Sequence, residues 1–199
     1  MKTKLIIVEG MDNTGKTTLI NRLEKVLSTL SKKVHIIHLE KPPKNIPEEE
    51  IVTYTKNYYD AVISQLTNPE IYNLYDYIII DRCHLSEYVY APIYRNRNKL
   101  DIVEDNLIYE YKLLNVYKNN IYLFLLYADN CDFLLNHDDG KSLSDGNINN
   151  FNIEQKEFEK AFDISLINNK YSICINELNE NEYKDILPEI FNIIITYNI

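Results

Sequence analysis

The chain of 199 residues has no tryptophan, two methionines, three cysteines and only four glycines. Cys83, Cys131 and Cys174 leave one thiol unpaired and show no metal-ligand spacing. That argues against a disulfide scaffold or a zinc site and suits a reducing, cytoplasmic compartment. No apolar run approaches the ~20 residues of a membrane-spanning helix, and the first residues carry no signal-peptide pattern, so no membrane partner is expected. Positive charge is short as well: 21 Lys and Arg stand against 30 Asp and Glu, a formal net charge of −9. Binding to a nucleic-acid polymer rests on neutralising many phosphates, so that class is disfavoured. A single nucleotide needs only a local cluster of cations and stays compatible. The abundance of Asn, Ile, Lys and Tyr reads as composition bias and carries no functional inference.

What is present alternates. Predominantly apolar runs, as expected of buried strands, lie at Lys4–Glu9, Val34–Leu39, Tyr77–Ile80, Ile121–Leu126 and Tyr171–Ile175. Helical periodicity fills the intervals: Lys16–Leu30, Glu48–Leu66, a segment from His84 that Pro92 should disturb, Ile102–Tyr117, Ile153–Ile167 and a last helix from Glu182. This order predicts one α/β domain over residues 1–199, a five-stranded parallel sheet flanked by helices. The polar stretch Asp129–Asn150 holds Gly140 and Gly146 and reads as a functional lid or a disordered loop.

The other two glycines fall in one short segment, Gly10-Met11-Asp12-Asn13-Thr14-Gly15-Lys16-Thr17-Thr18, directly after the first strand and before the first helix. This is G-x-x-x-x-G-K-[ST] in the context the phosphate-binding loop requires. Glycines allow the loop to curl around a phosphate, and the amides from Asn13 to Thr18 with the helix N-terminus can donate to its oxygens. Lys16 would reach the β- and γ-phosphates and the Thr17 hydroxyl would ligate Mg²⁺. A nucleoside triphosphate is the expected ligand, with ATP and Mg²⁺ as cofactors.

The third strand ends at Asp81-Arg82, followed by Cys83-His84-Leu85-Ser86 and Tyr90. In parallel sheets ligands gather at the carboxyl ends of strands. If this strand neighbours the first, Asp81 can hold Mg²⁺ and Arg82 can fork onto a phosphate. The plainer alternative is an Asp that caps the next helix and an Arg paired on the surface. His35, His38 and His137 have no partners at ligand spacing and read as structural or solvated. His84 could serve the site or merely start a helix.

Together these motifs resemble those of thymidylate kinases and, more distantly, deoxynucleoside kinases. Glu9-Gly10-Met11-Asp12 running into Gly15-Lys16-Thr17-Thr18 is similar to E-G-x-D-x-x-G-K-[ST]-T, and Asp81-Arg82 with Ser86 and Tyr90 to D-R-x-x-x-S-x-x-x-[YF]. Ile153-Glu154 with Phe158 and Phe162 resembles the start of the helix after that family's lid. The resemblance implies transfer of the ATP γ-phosphoryl to a pyrimidine deoxynucleoside monophosphate, dTMP foremost. It implies that Asp12 contacts the 3′ side of the acceptor sugar, that Arg82 and Lys41 steady its phosphate, and that Tyr90 disfavours a 2′-hydroxyl. An aromatic of the second helix, Tyr58 or Tyr59, would stack on the base, although tyrosines at that spacing equally suit a core. A homodimer is implied as well. Two family features are missing: the loop position after Asp12 is Asn13, and the lid holds no arginine, since the last one in the chain is Arg97. Lys141, Arg95 or Arg97 is expected to substitute. Asp60 and Gln65 are the polar residues near the expected base platform.

The competing enzyme is a deoxynucleoside kinase acting on a 5′-hydroxyl, which needs a general base; Glu40, at the end of the second strand, is placed for it. A non-catalytic nucleotide-binding relative is the alternative from another class.

Overall fold

A computed structural model describes residues 3–43, 46–135, 147–175 and 182–196. Five strands, β1 (Lys4–Gly10), β2 (Val34–His38), β3 (Tyr77–Asp81), β4 (Ile121–Tyr127) and β5 (Lys170–Cys174), form one all-parallel sheet in the order β2-β3-β1-β4-β5. The chain therefore has the α/β architecture its alternating pattern predicts. The three central strands are almost wholly buried while edge strands β2 and β5 are only partly so, which is why the central ones read as unbroken apolar runs.

Side chains of a strand alternate between faces, and two cores result. Ile6 and Val8 pack with Leu19, Ile20, Leu23 and Leu27 of α1 (Lys16–Thr29) and with Ile190 and Ile194 of α8 (Glu182–Thr196). Leu5 and Ile7 face the opposite core. It is built by α2 (Glu48–Thr67), α4 (His84–Tyr94), α5 (Lys99–Tyr117) and α7 (Ile148–Ile164). Single helical turns α3 (Pro69–Tyr72) and α6 (Asp132–Leu135) complete the described elements.

Two expectations change. Helix α4 runs through Pro92 to Tyr94; the cost of a proline inside a helix is outweighed by the burial of Leu85, Val89 and Ala91. The stretch 129–150 is not loop throughout, because α6 lies within it and α7 starts at Ile148, where the Asn147 side chain accepts from the Asn149 amide. Residues 136–146 of that stretch, Lys141 and His137 among them, lie outside the described residues.

Strand order decides where the two motifs meet. β3 lies beside β1 with Val8 opposite Asp81, so the loop after β1 and the Asp81-Arg82 turn leave the sheet side by side. β2 lies beyond β3 with His38 opposite Asp81.

Candidate functional site

The loop after β1 is shaped by backbone constraints. Gly10 has φ 141°, and a Cβ there would lie 2.4 Å from the Leu126 carbonyl oxygen. Only glycine fits. Asn13 and Gly15 take φ 65° and 74°, which turns the chain into α1. Helix α1 begins with no side-chain cap and no acid in its first turn, so its leading amides remain available to an anion. Thr14 Oγ1 donates to the Met11 carbonyl at 2.9 Å, and Asn13 Nδ2 donates to Leu134 O of α6 at 3.4 Å. The Lys16 ammonium donates to the Met11 carbonyl and to Thr14 Oγ1. Its burial, reinforced by the nearby Arg82 charge, lowers its pKa to about 7.

Asp81 and Arg82 stand across from this loop. Thr17 Oγ1 donates to Asp81 Oδ2 at 2.7 Å, and His38 Nδ1 lies 3.1 Å from the same oxygen. A hydroxyl and a carboxylate on one polar cavity are hard oxygen donors suited to Mg²⁺. Among the described residues no three His, Cys, Asp or Glu gather into a metal cage.

Arg82 sits at φ 67°, a left-handed conformation that costs a bulky residue about 1–3 kcal/mol. Its amide donates to Val8 O at 3.0 Å. The guanidinium donates to Gly10 O at 3.0 Å, to the Tyr90 hydroxyl at 3.2 Å and to Asp12. Lys41 Nζ reaches the other Asp12 oxygen at 3.2 Å. Burial alone would raise the Asp12 carboxyl, but Arg82, Lys16 and Lys41 hold it below the usual range. The plainer expectation for Asp81-Arg82, a helix cap and a surface ion pair, does not describe this turn. Glu9 caps α4 instead. Fully buried at the end of β1, it accepts from the Cys83, Leu85 and Ser86 amides at 2.7, 3.1 and 3.3 Å and from Ser86 Oγ at 2.7 Å.

Two cavities adjoin along this line. One, of about 460 Å³, is bounded by Asp12, Asn13, Gly15, Lys16, Thr17, Thr18, His38, Leu39, Asp81 and Arg82. The other, about 120 Å³ and mostly apolar, is bounded by Leu39–Pro43, Tyr54, Thr55, Tyr58, Tyr59, Arg82, Ser86, Glu87, Tyr90 and Arg95. Leu39 and Arg82 belong to both. The sequence candidates Lys41, Tyr58, Tyr59, Ser86, Tyr90 and Arg95 all line the second cavity, whereas Asp12 lies on the phosphate-loop side.

Within the second cavity the aromatic residues divide. The Tyr59 hydroxyl is committed to the Cys83 carbonyl at 3.2 Å, and its ring packs on Tyr109. Tyr58 instead lies parallel to Tyr54, centroids 6.4 Å apart and planes 4° apart. The Tyr90 ring meets Phe158 edge-on at 5.7 Å. Asp60 and Gln65 are absent from the walls; Gln65 is exposed, and Asp60 faces Lys112 at 4.0 Å. Besides Lys41, Arg82 and Ser86, the polar groups that line it include Glu40, Thr55, Glu87 and Arg95, and Arg95 Nη2 donates to Glu87 Oε2 at 2.5 Å. Arg97 turns away to Glu87 and Asp105 and lines neither cavity. His84 is buried against Glu110 at 2.7 Å, facing α5.

Sequence reading quoted Glu9 only as part of the first motif and took His38 as structural or solvated, whereas His38 pairs with Asp81. An acid closing an otherwise apolar buried strand was a signal for Glu9, since carboxylates are rarely buried without partners. For His38 the signal was its place at the carboxyl end of a strand, weak by itself.

No family model matches the chain, and no curated protein matches it by sequence. Solved structures do match. A thymidylate kinase from Ehrlichia chaffeensis aligns over 98% of this chain and 100% of its own, with TM-score 0.68 and 13% identity. A thymidylate kinase from Candida albicans aligns over 98% and 92%, with TM-score 0.61 and 16% identity. The YorR protein of Bacillus subtilis, solved in complex with phosphorylated GDP, aligns over 94% and 96%, with TM-score 0.59 and 16% identity. The resemblance read from the two motifs thus extends to the tertiary structure: the chain has the P-loop kinase fold of the thymidylate kinases.

Proposed function

We propose that the protein is an ATP- and Mg²⁺-dependent nucleoside monophosphate kinase. It transfers the γ-phosphoryl group to a pyrimidine deoxynucleoside monophosphate, dTMP foremost. The observation that carries this reading is the pair of cavities joined at Leu39 and Arg82, one lined by the phosphate loop and the other by tyrosines and Lys41. Two nucleotides can then meet end to end at Arg82. The structural likeness to two thymidylate kinases supports the same reading.

An acceptor phosphate oxygen forms a bond to the γ-phosphorus as the bond to the bridging oxygen breaks, and ADP leaves. The acceptor oxygen is already ionised, so alignment and charge neutralisation suffice. Lys16 and the α1 amides hold the donor phosphates. Arg82, with Lys41, stands where the acceptor phosphate enters. Thr17 and Asp81 would hold Mg²⁺, which when bound neutralises developing charge on the phosphates. Tyr58 and Tyr54 offer a flat wall to the base, and Tyr90 narrows the sugar position.

One observation favours a second reading. Glu40 lines the acceptor cavity, where a carboxylate could take the proton of a 5′-hydroxyl. ADP release measured with ATP, Mg²⁺ and dTMP, dUMP or thymidine separates the two. Turnover with dTMP exceeding that with thymidine is expected. Turnover with thymidine alone transfers the assignment to a nucleoside kinase, and absence of acceptor-dependent ADP release overturns both.

A further inference from the structure

We propose that Asp12 acts as a built-in anion that competes with the acceptor phosphate for Arg82 and Lys41, so that selection of the acceptor falls on its base and sugar. The inference rests on the kinase reading above, in which these two cations meet the acceptor phosphate. Asp12 borders the phosphate-loop cavity, Lys41 borders the other and Arg82 borders both. The carboxylate that the two cations share therefore stands where the cavities join.

Its oxygens are divided between them: Oδ1 accepts from Arg82 Nη2, and Oδ2 accepts from Lys41 Nζ at 3.2 Å. Arg82 Nη1 spends its two hydrogens on Gly10 O at 3.0 Å and the Tyr90 hydroxyl at 3.2 Å. A guanidinium can fork onto a phosphate through Nη1 with Nη2 or through Nε with Nη2, and either fork uses the nitrogen that Asp12 holds. The Asp12 and Arg82 side chains are 14% and 16% exposed, so water and salt screen the pair little. Burial disfavours the Asp12 charge, but Arg82, Lys16 and Lys41 keep the carboxyl below its usual range, and it stays ionised at neutral pH. A phosphate brought to this place displaces the carboxylate or sits beside it, and juxtaposed like charges oppose binding. A bare phosphate gains little there. A nucleotide offsets that cost with the contacts of its base and sugar along the tyrosine-lined cavity.

The test measures dissociation constants of thymidine and dTMP by calorimetry in the wild type, Asp12→Asn and Asp12→Glu. Base and sugar contacts are common to both ligands and cancel in the ratio of the two constants, which isolates the phosphate. Asp12→Asn keeps an oxygen for Arg82 without the charge, and the thymidine-to-dTMP ratio should rise about tenfold, the size of a hydrogen bond to a charged group. Asp12→Glu keeps the charge, and its ratio should stay within about twofold of the wild type. Thermal melting checks the fold, and Asp12→Ser gives the same comparison if the Asn variant is unfolded. A ratio that falls or stays unchanged in the neutral variants, or rises equally in Asp12→Glu, overturns the proposal and makes Asp12 a support that orients the two cations. A wild type that binds neither ligand overturns the acceptor assignment and this inference together.

Discussion

The two cavities that share Arg82 are built in different ways. The phosphate-loop side is made by one contiguous segment whose backbone is constrained at Gly10, Asn13 and Gly15, with Asp81 brought in from the next strand. The tyrosine-lined side takes its walls from α2, α4 and the chain after β2, and its shape depends on side chains packed across long sequence distances. On the proposed kinase reading, backbone amides would recognise a group common to all nucleoside triphosphates and side chains what differs among acceptors, so the second side is where specificity can change without loss of the fold.

The contrast is broken hardest at Lys16. Lys16→Met removes the buried ammonium from the phosphate-loop side, and turnover should fall about a hundred- to a thousandfold, with the far-ultraviolet circular dichroism unchanged. Retention of activity would mean that the loop does not do electrostatic work.

A smaller effect tests the framework on the acceptor side. The Tyr94 hydroxyl donates to Glu154 and joins α4 to α7, while Glu154 Oε2 has no hydrogen-bond partner among the described residues. Burial raises the Glu154 carboxyl from 4.5 to about 7. An acid whose folded pKa is raised favours folding while protonated, so its contribution is full below about 4.5 and is lost as pH rises to about 7. The loss across that window is about 3 kcal/mol. Glu154→Gln should flatten this dependence. Urea unfolding at several pH values should show the variant gaining on the wild type as pH rises, and parallel curves would refute the assignment.

The mildest probe separates two adjacent tyrosines. Tyr58→Leu should raise the acceptor KM about five- to tenfold with little change in the KM for ATP, since stacking contributes about 1 kcal/mol or somewhat more. Tyr59→Phe removes the hydrogen bond to the Cys83 carbonyl and should lower stability by about 1 kcal/mol in thermal or urea unfolding. Interchanged outcomes would reverse the roles given to the two residues.

Much of the candidate site was legible because the phosphate loop is a local motif. Gly10, Gly15, Lys16 and Thr17 form a motif whose spacing is set by the loop it must make. Lys41, Ser86 and Tyr90 were expected from resemblance, and all three line the tyrosine-lined cavity. The choice between Tyr58 and Tyr59 was not legible, because both suit one helical pattern and only the packing of Tyr109 and the Cys83 carbonyl commits Tyr59 to the core. Arg97 misled for a related reason: proximity in sequence to the site says nothing about the two carboxylates, Glu87 and Asp105, that draw it away. The early start of α7 was hidden by Asn-rich residues whose helical propensity is poor, and the Asn147 cap overrides it.

The sequence by itself determined the element order, the parallel sheet and the phosphate loop, since apolar runs, helical periodicity and a glycine-lysine spacing are properties of neighbouring residues. Only the tertiary structure decided that β3 lies beside β1 and β2 beside β3. That order brings Asp81, Thr17 and His38 within hydrogen-bond distance and sets Arg82 between two cavities. Strand order arises from how both sheet faces are covered at once, and no local pattern encodes it.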